Sequence, residues 1–355
     1  MKIGILGAGQ LGRMLALAGI PLGHEFVFYT DRTDSCAAIV GEIMQGEFDD
    51  EARLAEFAQS VDVISLEFEN IPLETLKYLS KHNTVYPEPA AVAAAQDRLD
   101  EKQLFDALGI PVAAYHVIDS LPDMQALSPQ QDGPFIVKTR RFGYDGKGQA
   151  VLSESSQASE IWYALGEVPL IAEAKVNFTR ELSIIAARNV QGDMRFYPLC
   201  ENRHHDGILA HTQMSHDSVL QAQAESYARK VMEKFDYVGV LTIELFDCEG
   251  ELLVNEMAPR VHNSGHWSIE AAITSQFENH VRAVTGLPLG ETTVLNEFHM
   301  YNLITKMPDS SALLSIPNLH VHDYNKAPAF RRKLGHLTLC PADADTQKRI
   351  EALIS

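Results

Sequence analysis

NEMAPRVHNSGHWS, residues Asn255 to Ser268, gathers carboxylate, amide, guanidinium and imidazole groups directly after an apolar strand pattern. Such a density of polar groups belongs to a site, because charged side chains enter a core only when paired. Eleven residues before the stretch begins, YVGVLTIELF places Glu244 on the polar phase of a strand. ELLVNE then returns Glu256 to its side if a tight turn at Cys248 to Gly250 closes a hairpin. Two carboxylates facing one cleft make a hard oxygen donor set. It suits Mg²⁺, with Mn²⁺ as a substitute, completed by water and substrate phosphates. For an isolated pair of acids the plainer reading is a solvated hairpin; the adjoining APRVHNSGH decides against it.

The chain has 355 residues and 46% apolar content, which predicts two to three domains with sizeable cores. Its 29 basic and 48 acidic residues give a formal net charge of −19. That balance argues against nucleic-acid or anionic-membrane partners and fits a protein that handles small molecules. Cys36, Cys200, Cys248 and Cys340 show no paired CxxC spacing, so neither a disulfide framework nor a zinc ribbon is indicated. The segment from Lys2 begins a strand pattern and reaches Arg13 quickly, unlike a signal peptide or membrane span. A cytoplasmic location is expected.

KIGILGAGQLGRMLALAGIPLGHEFVFYT reads as strand, glycine turn, helix and strand, the opening unit of a doubly wound parallel sheet. Gly7, Gly9 and Gly12 fit GxGxxG, and Asp31 ends the second strand where a dinucleotide fold places its ribose-binding acid. Alone, this segment supports an NAD-dependent dehydrogenase. A third strand, VDVISLEFE, carries Glu67 and Glu69 to the ligand-binding edge of the sheet. DRLDEKQLFDALGIPVAAY reads as a helix stopped at Gly109 with Pro111 beyond. Next come a strand FIVKTRR, a glycine loop, a strand pair around LIAEAKV and RELSIIAAR, and a His-rich loop ENRHHDGILAHTQM. A helix through QAQAESYARKVMEKF precedes the carboxylate hairpin, and short strands with a basic FRRK close the chain.

The loop GYDGKGQ follows a strand bearing Lys138. Its glycines free backbone N–H groups to wrap phosphate oxygens, with Lys138 as a point charge beneath. The spacing is not that of a P-loop. A glycine lid, a strand lysine and a later carboxylate pair nevertheless divide among themselves the requirements of Mg-ATP chemistry.

With these segments in view, the chain resembles the ATP-grasp superfamily and, within it, the N5-carboxyaminoimidazole ribonucleotide synthetases. The resemblance runs nearly end to end, through GAGQLGRM, LEFENIP, DRLDEKQLF, VKTRRFGYDGKGQ, ENRHHDGIL, NEMAPRVHNSGHWS and RRKLGHL. It implies an ATP-grasp fold of α/β and α+β character. A Rossmann-like pre-ATP-grasp domain would span 1–96, an ATP-grasp domain 97–290 with a mobile lid at about 113–172, and a small β-rich domain 291–355.

The same resemblance implies roles. Arg98 and Lys138 contact ATP phosphates under a lid of Gly143, Tyr144, Asp145, Gly146, Lys147, Gly148 and Gln149. Adenine lies against Glu173, Ala174, Lys175 and Val176, read by backbone groups. Glu181 accepts from the ribose hydroxyls, and His204 is a further nucleotide contact. Glu244 and Glu256 hold the metal, with Asn255 beside them. ATP phosphorylates bicarbonate to carboxyphosphate, and the amine of aminoimidazole ribonucleotide captures the carboxyl group, a step of de novo purine synthesis. Arg260 stabilises the bicarbonate-derived oxyanions, and His262, Asn263 and His266 orient them. Gln10 and Leu11, with Lys326, Arg332 and Lys333, take the ribonucleotide phosphate; Glu69 and Asp145 contact its ribose or amine. Under this reading no NAD is bound and Asp31 has no cofactor role. A homodimer is expected.

The chain departs from the family pattern twice. Phe142 precedes Gly143 where a second glycine is usual, and Ala329-Phe330-Arg331-Arg332-Lys333 stands where RPGRK is usual. One competing reading is another ATP-grasp ligase or transformylase acting on a phosphoribosyl amine, against which HNSGHW and ENRHHDGIL favour the carboxylating branch. The dehydrogenase reading leaves Lys138, Glu244, Glu256 and the glycine lid unexplained. A silent scaffold leaves the complete Mg-ATP set without purpose.

Overall fold

In the computed structural model, which describes residues 1–143 and 146–354, the opening pattern forms strand Lys2–Leu6, helix Gln10–Gly19 and strand Glu25–Thr30. Strands Glu42–Gln45 and Val63–Leu66 flank this pair to complete a parallel sheet of four. Its central strands are apolar on both faces, as a sheet covered by helices requires. The turn after the first strand and the segment after Val63–Leu66 both leave at the carboxyl edge, the ligand-binding edge of such sheets.

A second sheet of four antiparallel strands, ordered Tyr115–Ile118, Leu170–Ala174, Phe135–Thr139 and Gln149–Leu152, forms a separate module over the expected lid segment. It packs on helices Leu121–Ala126 and Ala158–Ala164 around Phe135, Trp162 and Leu170. Its last strand runs two residues past the expected edge at 172.

The body is a nine-stranded sheet in which Arg180–Arg188 pairs with Gly239–Cys248 on one side and Cys200–His205 on the other. Helix Ser218–Lys234 covers one face. Asp217 caps it by accepting from the amides of Val219 and Leu220. Its buried residues Leu220, Ala224, Tyr227, Ala228, Val231 and Met232 recur at helical spacing. Strands His299–Ile304, Lys333–Leu339 and Leu319–Asp323 extend this same sheet, so the C-terminal segment shares hydrogen bonds with the body.

Two expectations change. Leu170–Ala174 and Arg180–Arg188 do not pair; they lie in different sheets, and the five residues between them carry the chain from the four-stranded antiparallel sheet to the body. The expected His-rich loop is a hairpin of Cys200–His205 and Ile208–Met214. Its polar composition hides the strands, but Asp206 at φ 51° and Gly207 at φ 75° form the two-residue turn that an Asp-Gly pair favours.

Helix Gln276–Val284 packs the body against the first domain, and there His280 is fully buried. Its Nδ1 accepts from the Val240 amide at 3.1 Å, so Nε2 carries the proton and donates to Ser65 Oγ at 2.8 Å. Burial pushes this imidazole down to about 4. The unfolded chain takes up that proton near pH 6.5, so stability present at neutral pH is lost as pH falls toward 4. Between pH 7 and 5 this linkage amounts to about 2 kcal/mol. Urea denaturation at both values should show His280→Asn, which cannot titrate, losing less stability on acidification than wild type by about that amount; an equal loss refutes the assignment.

Candidate active site

Strands Gly239–Cys248 and Glu251–Ala258 form the expected hairpin, closed by Glu249 at φ 55° and Gly250 at φ 96°. Glu244 stands opposite Glu256. The register slips beside Glu244, so that Leu245 pairs with Val254 and Asn255 becomes a bulge residue between the partners. A bulge re-aims side chains. The Asn255 Oδ1 is buried and has no hydrogen-bond partner among the described residues. Two carboxylates and an adjoining unpartnered amide oxygen fit the hard donor set that Mg²⁺ prefers.

Both acids have a nitrogen partner. Arg98 Nη1 donates to Glu256 Oε2 at 2.7 Å, and His262 Nε2 lies 3.1 Å from Glu244 Oε1. Burial would raise the Glu244 carboxyl, but His262 and His204 hold it below the usual carboxylate range; Arg98 and Lys138 do the same for Glu256.

Beneath this pair lies a buried charge network. Lys138 contacts Glu173 at 3.2 Å, and Lys102, fully buried, lies 3.5 Å from the same carboxylate while donating to the Asn255 carbonyl at 2.7 Å. Burial, with the nearby Glu256, pushes the Glu101 carboxyl up to about 8 as it accepts from the Met257 amide. Glu101 and Lys102 escaped the sequence reading. A signal existed: Lys102 shares a helical face with Leu99 and Phe105, where an uncompensated charge is costly.

On the far side of the carboxylates, Glu69 grips Arg260 side-on through Nε and Nη2, and Arg260 Nη1 donates to the Val261 carbonyl at 3.0 Å. Buried Gln276 brackets the His262 backbone, accepting from its N–H at 2.9 Å and donating to its carbonyl at 2.6 Å. Asn263 and Asn302 exchange reciprocal amide hydrogen bonds at 2.9 and 2.7 Å. Gln276 and Asn302 were also missed, since positioning side chains carry no motif of their own. His266 is packed against Phe277, Tyr324 and His336.

The glycine turn takes an unexpected form. Glu67 lays its carboxylate over the start of helix Gln10–Gly19, accepting from the Gly9 amide and, at 2.7 Å, from the Gly12 amide. A Cβ at Gly7, at φ +100°, would lie 2.5 Å from Glu67 Cγ, and one at Gly9 2.8 Å from its Oε1. These glycines make room for an internal carboxylate at the place where a dinucleotide fold seats pyrophosphate, and the dehydrogenase reading is set aside on that ground. Beside the turn, Lys326 donates to Gln10 Oε1, and Arg332 contacts Asp34 at 3.3 Å.

Both departures from the family pattern fall on left-handed backbone, Phe142 at φ 63° and Arg331 at φ 61°. The chain therefore makes with larger residues a bend that glycine makes freely. Arg331 uses its bend to donate to the Asp206 carbonyl at 2.6 Å.

One cavity of about 1200 Å³ brings much of this together. Its lining includes Gln10, Leu11 and Glu69 from the first domain, Arg98 at the start of helix Arg98–Ala107, Gly143 and Lys147 from the glycine loop, and His204 from strand Cys200–His205. Glu244, Glu256, Arg260, His262, Asn263 and His266 form its floor, and Lys326, Arg332 and Lys333 its far wall. Lys138, Asn255, Gly146, Gly148 and Gln149 stand outside the lining, as do residues 173–176 and Glu181. Glu181 nevertheless reaches His204, 2.8 Å between Oε2 and Nδ1. In the 173–176 segment the Ala174 and Lys175 amides already donate to Ala114 and Pro134 carbonyls, at 2.7 and 2.9 Å. Tyr144 and Asp145 lie outside the described residues. No helix among the described residues is long and apolar enough to cross a membrane.

Comparison with known proteins gives three consecutive domain matches: a ribonucleotide synthetase preATP-grasp domain over residues 1–96, an ATP-grasp domain over 103–277 and a phosphoribosylaminoimidazole carboxylase C-terminal domain over 299–349. The N5-carboxyaminoimidazole ribonucleotide synthase of Pseudomonas aeruginosa is 47% identical, covering 100% of this chain and 99% of that protein. The crystal structure of the Thermus thermophilus synthetase superposes with a TM-score of 0.94 at 46% identity, covering 99% of this chain and 98% of that one. An Aspergillus clavatus synthase solved with ADP and 5-aminoimidazole ribonucleotide superposes at 0.91 with 28% identity, covering 99% and 97%.

Proposed function

The chain belongs to the N5-carboxyaminoimidazole ribonucleotide synthase family of ATP-grasp ligases, and on that premise we propose that this cleft carboxylates 5-aminoimidazole ribonucleotide with ATP and bicarbonate. The observation that carries the proposal is the facing pair Glu244 and Glu256, set in one cavity with Arg260 and the Lys326, Arg332 and Lys333 cations.

Arg98 and Lys138 bear on the ATP phosphates, and Val176 supplies the amide of its segment left to read adenine. Glu181, backed by His204, takes the ribose hydroxyls. Glu244 and Glu256 would hold Mg²⁺, with Asn255 adjoining, and the ion offsets phosphate charge during transfer. Bicarbonate oxygen attacks the γ-phosphorus, giving carboxyphosphate and ADP. Arg260, fixed side-on by Glu69, stabilises the resulting oxyanions without reorganising. His262 and Asn263, pinned by Gln276 and Asn302, hold the reacting carboxyl group in line. The Gln10 and Leu11 turn takes the ribonucleotide phosphate together with the three cations. Because Glu67 already uses the Gly9 and Gly12 amides, those cations supply most of the charge. The enzyme works as a cytosolic homodimer in this proposal.

The test is ADP release with Mg-ATP and bicarbonate, with and without 5-aminoimidazole ribonucleotide. The ribonucleotide should stimulate release strongly. Lys333→Ala should need about 10- to 100-fold more ribonucleotide for half-maximal rate, the worth of one charge-assisted phosphate contact. Release indifferent to the ribonucleotide sinks the substrate assignment.

A further inference from the structure

Under the cleft floor a line of hydrogen bonds crosses three strands, Ile208–Met214, Cys200–His205 and Arg180–Arg188, and ends on Glu244. Thr212 Oγ1 donates to Asn202 Oδ1, Asn202 Nδ2 to Ser183 Oγ, and Ser183 Oγ to Ser264 Oγ, each at 2.9 Å. Ser264 Oγ lies 2.9 Å from His262 Nδ1, and His262 Nε2 lies 3.1 Å from Glu244 Oε1. Thr212, Asn202, Ser183 and Ser264 are all buried. Ser183 stands opposite Glu244 where Arg180–Arg188 pairs with Gly239–Cys248, and Asn202 stands opposite Thr212 in the hairpin. The sense of the line is fixed at the cleft end. The Ser264 backbone N–H, which can only donate, meets His262 Nδ1 at 3.3 Å. Nδ1 is therefore an acceptor and the Ser264 hydroxyl a second donor to it, so the ring proton sits on Nε2 and faces the Glu244 carboxylate. The Asn202 amide agrees with that sense, its oxygen toward Thr212 and its N–H group toward Ser183. The opposite tautomer would set a lone pair against the Glu244 oxygen and leave the Ser264 N–H without its acceptor, a cost that buried groups avoid.

We propose that Ser264, Ser183, Asn202 and Thr212 are positioning residues for this site: their one-way line of hydrogen bonds holds His262 in the tautomer that donates to Glu244. That bond occupies one Glu244 oxygen and leaves the other for the divalent ion shared with Glu256. The proposal rests on the metal reading given above. Carboxylates that ligate a metal are themselves held by hydrogen bonds, and loss of such a partner costs about 10- to 100-fold in metal affinity. The line moves no proton; it supplies direction. The part of His262 in aligning the reactants is then exerted through the acid that it grips.

The test pairs nitrogen NMR of histidine-labelled, metal-free protein with Mn²⁺ titration in the presence of ADP, followed by electron paramagnetic resonance. The His262 signal is identified by its loss in His262→Gln, and in wild type it should show a protonated Nε2 and a bare Nδ1. Asn202→Asp puts an acceptor where the amide N–H group stood. Ser183 then turns its hydroxyl back to the new carboxylate, Ser264 donates to Ser183, and a proton on His262 Nδ1 gains an acceptor. The spectrum should move toward the Nδ1-protonated tautomer, and the Kd for Mn²⁺ should rise about 10-fold or more. Ser264→Ala removes the hydroxyl donor, adds no charge and should weaken Mn²⁺ by a similar factor; it decides alone if Asn202→Asp does not fold. A wild-type ring protonated at Nδ1 overturns the proposal, as does a wild-type tautomer in folded Asn202→Asp or wild-type Mn²⁺ affinity in either variant. Mn²⁺ affinity that Glu244→Gln leaves unchanged would instead overturn the metal reading beneath it.

Discussion

Glu256→Ala loses on the order of 10³-fold or more in ribonucleotide-stimulated ADP release, the largest effect expected of any single substitution in this protein. Two losses coincide. The carboxylate opposite Glu244 disappears, leaving one acid to hold a divalent ion, and Arg98 loses the partner that fixes it at 2.7 Å. A cation freed from its carboxylate in a half-buried setting also lowers stability, so the alanine variant alone mixes folding with chemistry. Glu256→Gln separates them, since its amide oxygen still accepts from Arg98 while the charge is gone. Thermal melts of the glutamine variant should stay near wild type and its turnover near that of alanine. A glutamine variant within about tenfold of wild-type rate removes Glu256 from the metal site.

Arg260→Lys follows, with a loss of about 10²-fold in kcat at unchanged ATP affinity. The substitution keeps the charge and discards the planar fork. Glu69 engages Nε and Nη2 together, a geometry no ammonium reproduces, so the lysine charge wanders from the position where oxyanion charge develops. Glu69→Gln should reproduce much of the defect, because it releases the same guanidinium. The double variant should then be little worse than either single one, the signature of two residues acting as a unit. Fully additive losses would mean that Glu69 meets the substrate by itself.

Much of this architecture could be read in advance because periodicity and turn chemistry are local. The strand–turn–helix opening, the Gly109 helix stop and the Cys248 to Gly250 turn each depend on a few adjacent residues. The facing of Glu244 and Glu256 followed from the hairpin alone. The Asn255 bulge did not, because a one-residue slip depends on which partner strands compete for the backbone. The same limit hid the separate sheets of Leu170–Ala174 and Arg180–Arg188, whose pairing is non-local. At the site, residues with reactive groups in a motif were legible. Those that hold them, such as Gln276 beneath His262 and Asn302 against Asn263, come from 14 and 39 residues away.

The carboxylate of Glu67 over the glycine turn has one more consequence. A group carried on the same chain competes for its site at an effective concentration of about millimolar even when loosely tethered, and higher when the backbone delivers it ready-made. Glu67 is delivered by the strand next to the turn and commits both oxygens to it. The first domain thus contains its own competitive ligand. A free dinucleotide, present at ordinary cellular levels and obliged to lose mobility on binding, must displace a carboxyl group carried on the same chain. The glycine fingerprint here is therefore filled from within, by the acid that follows strand Val63–Leu66.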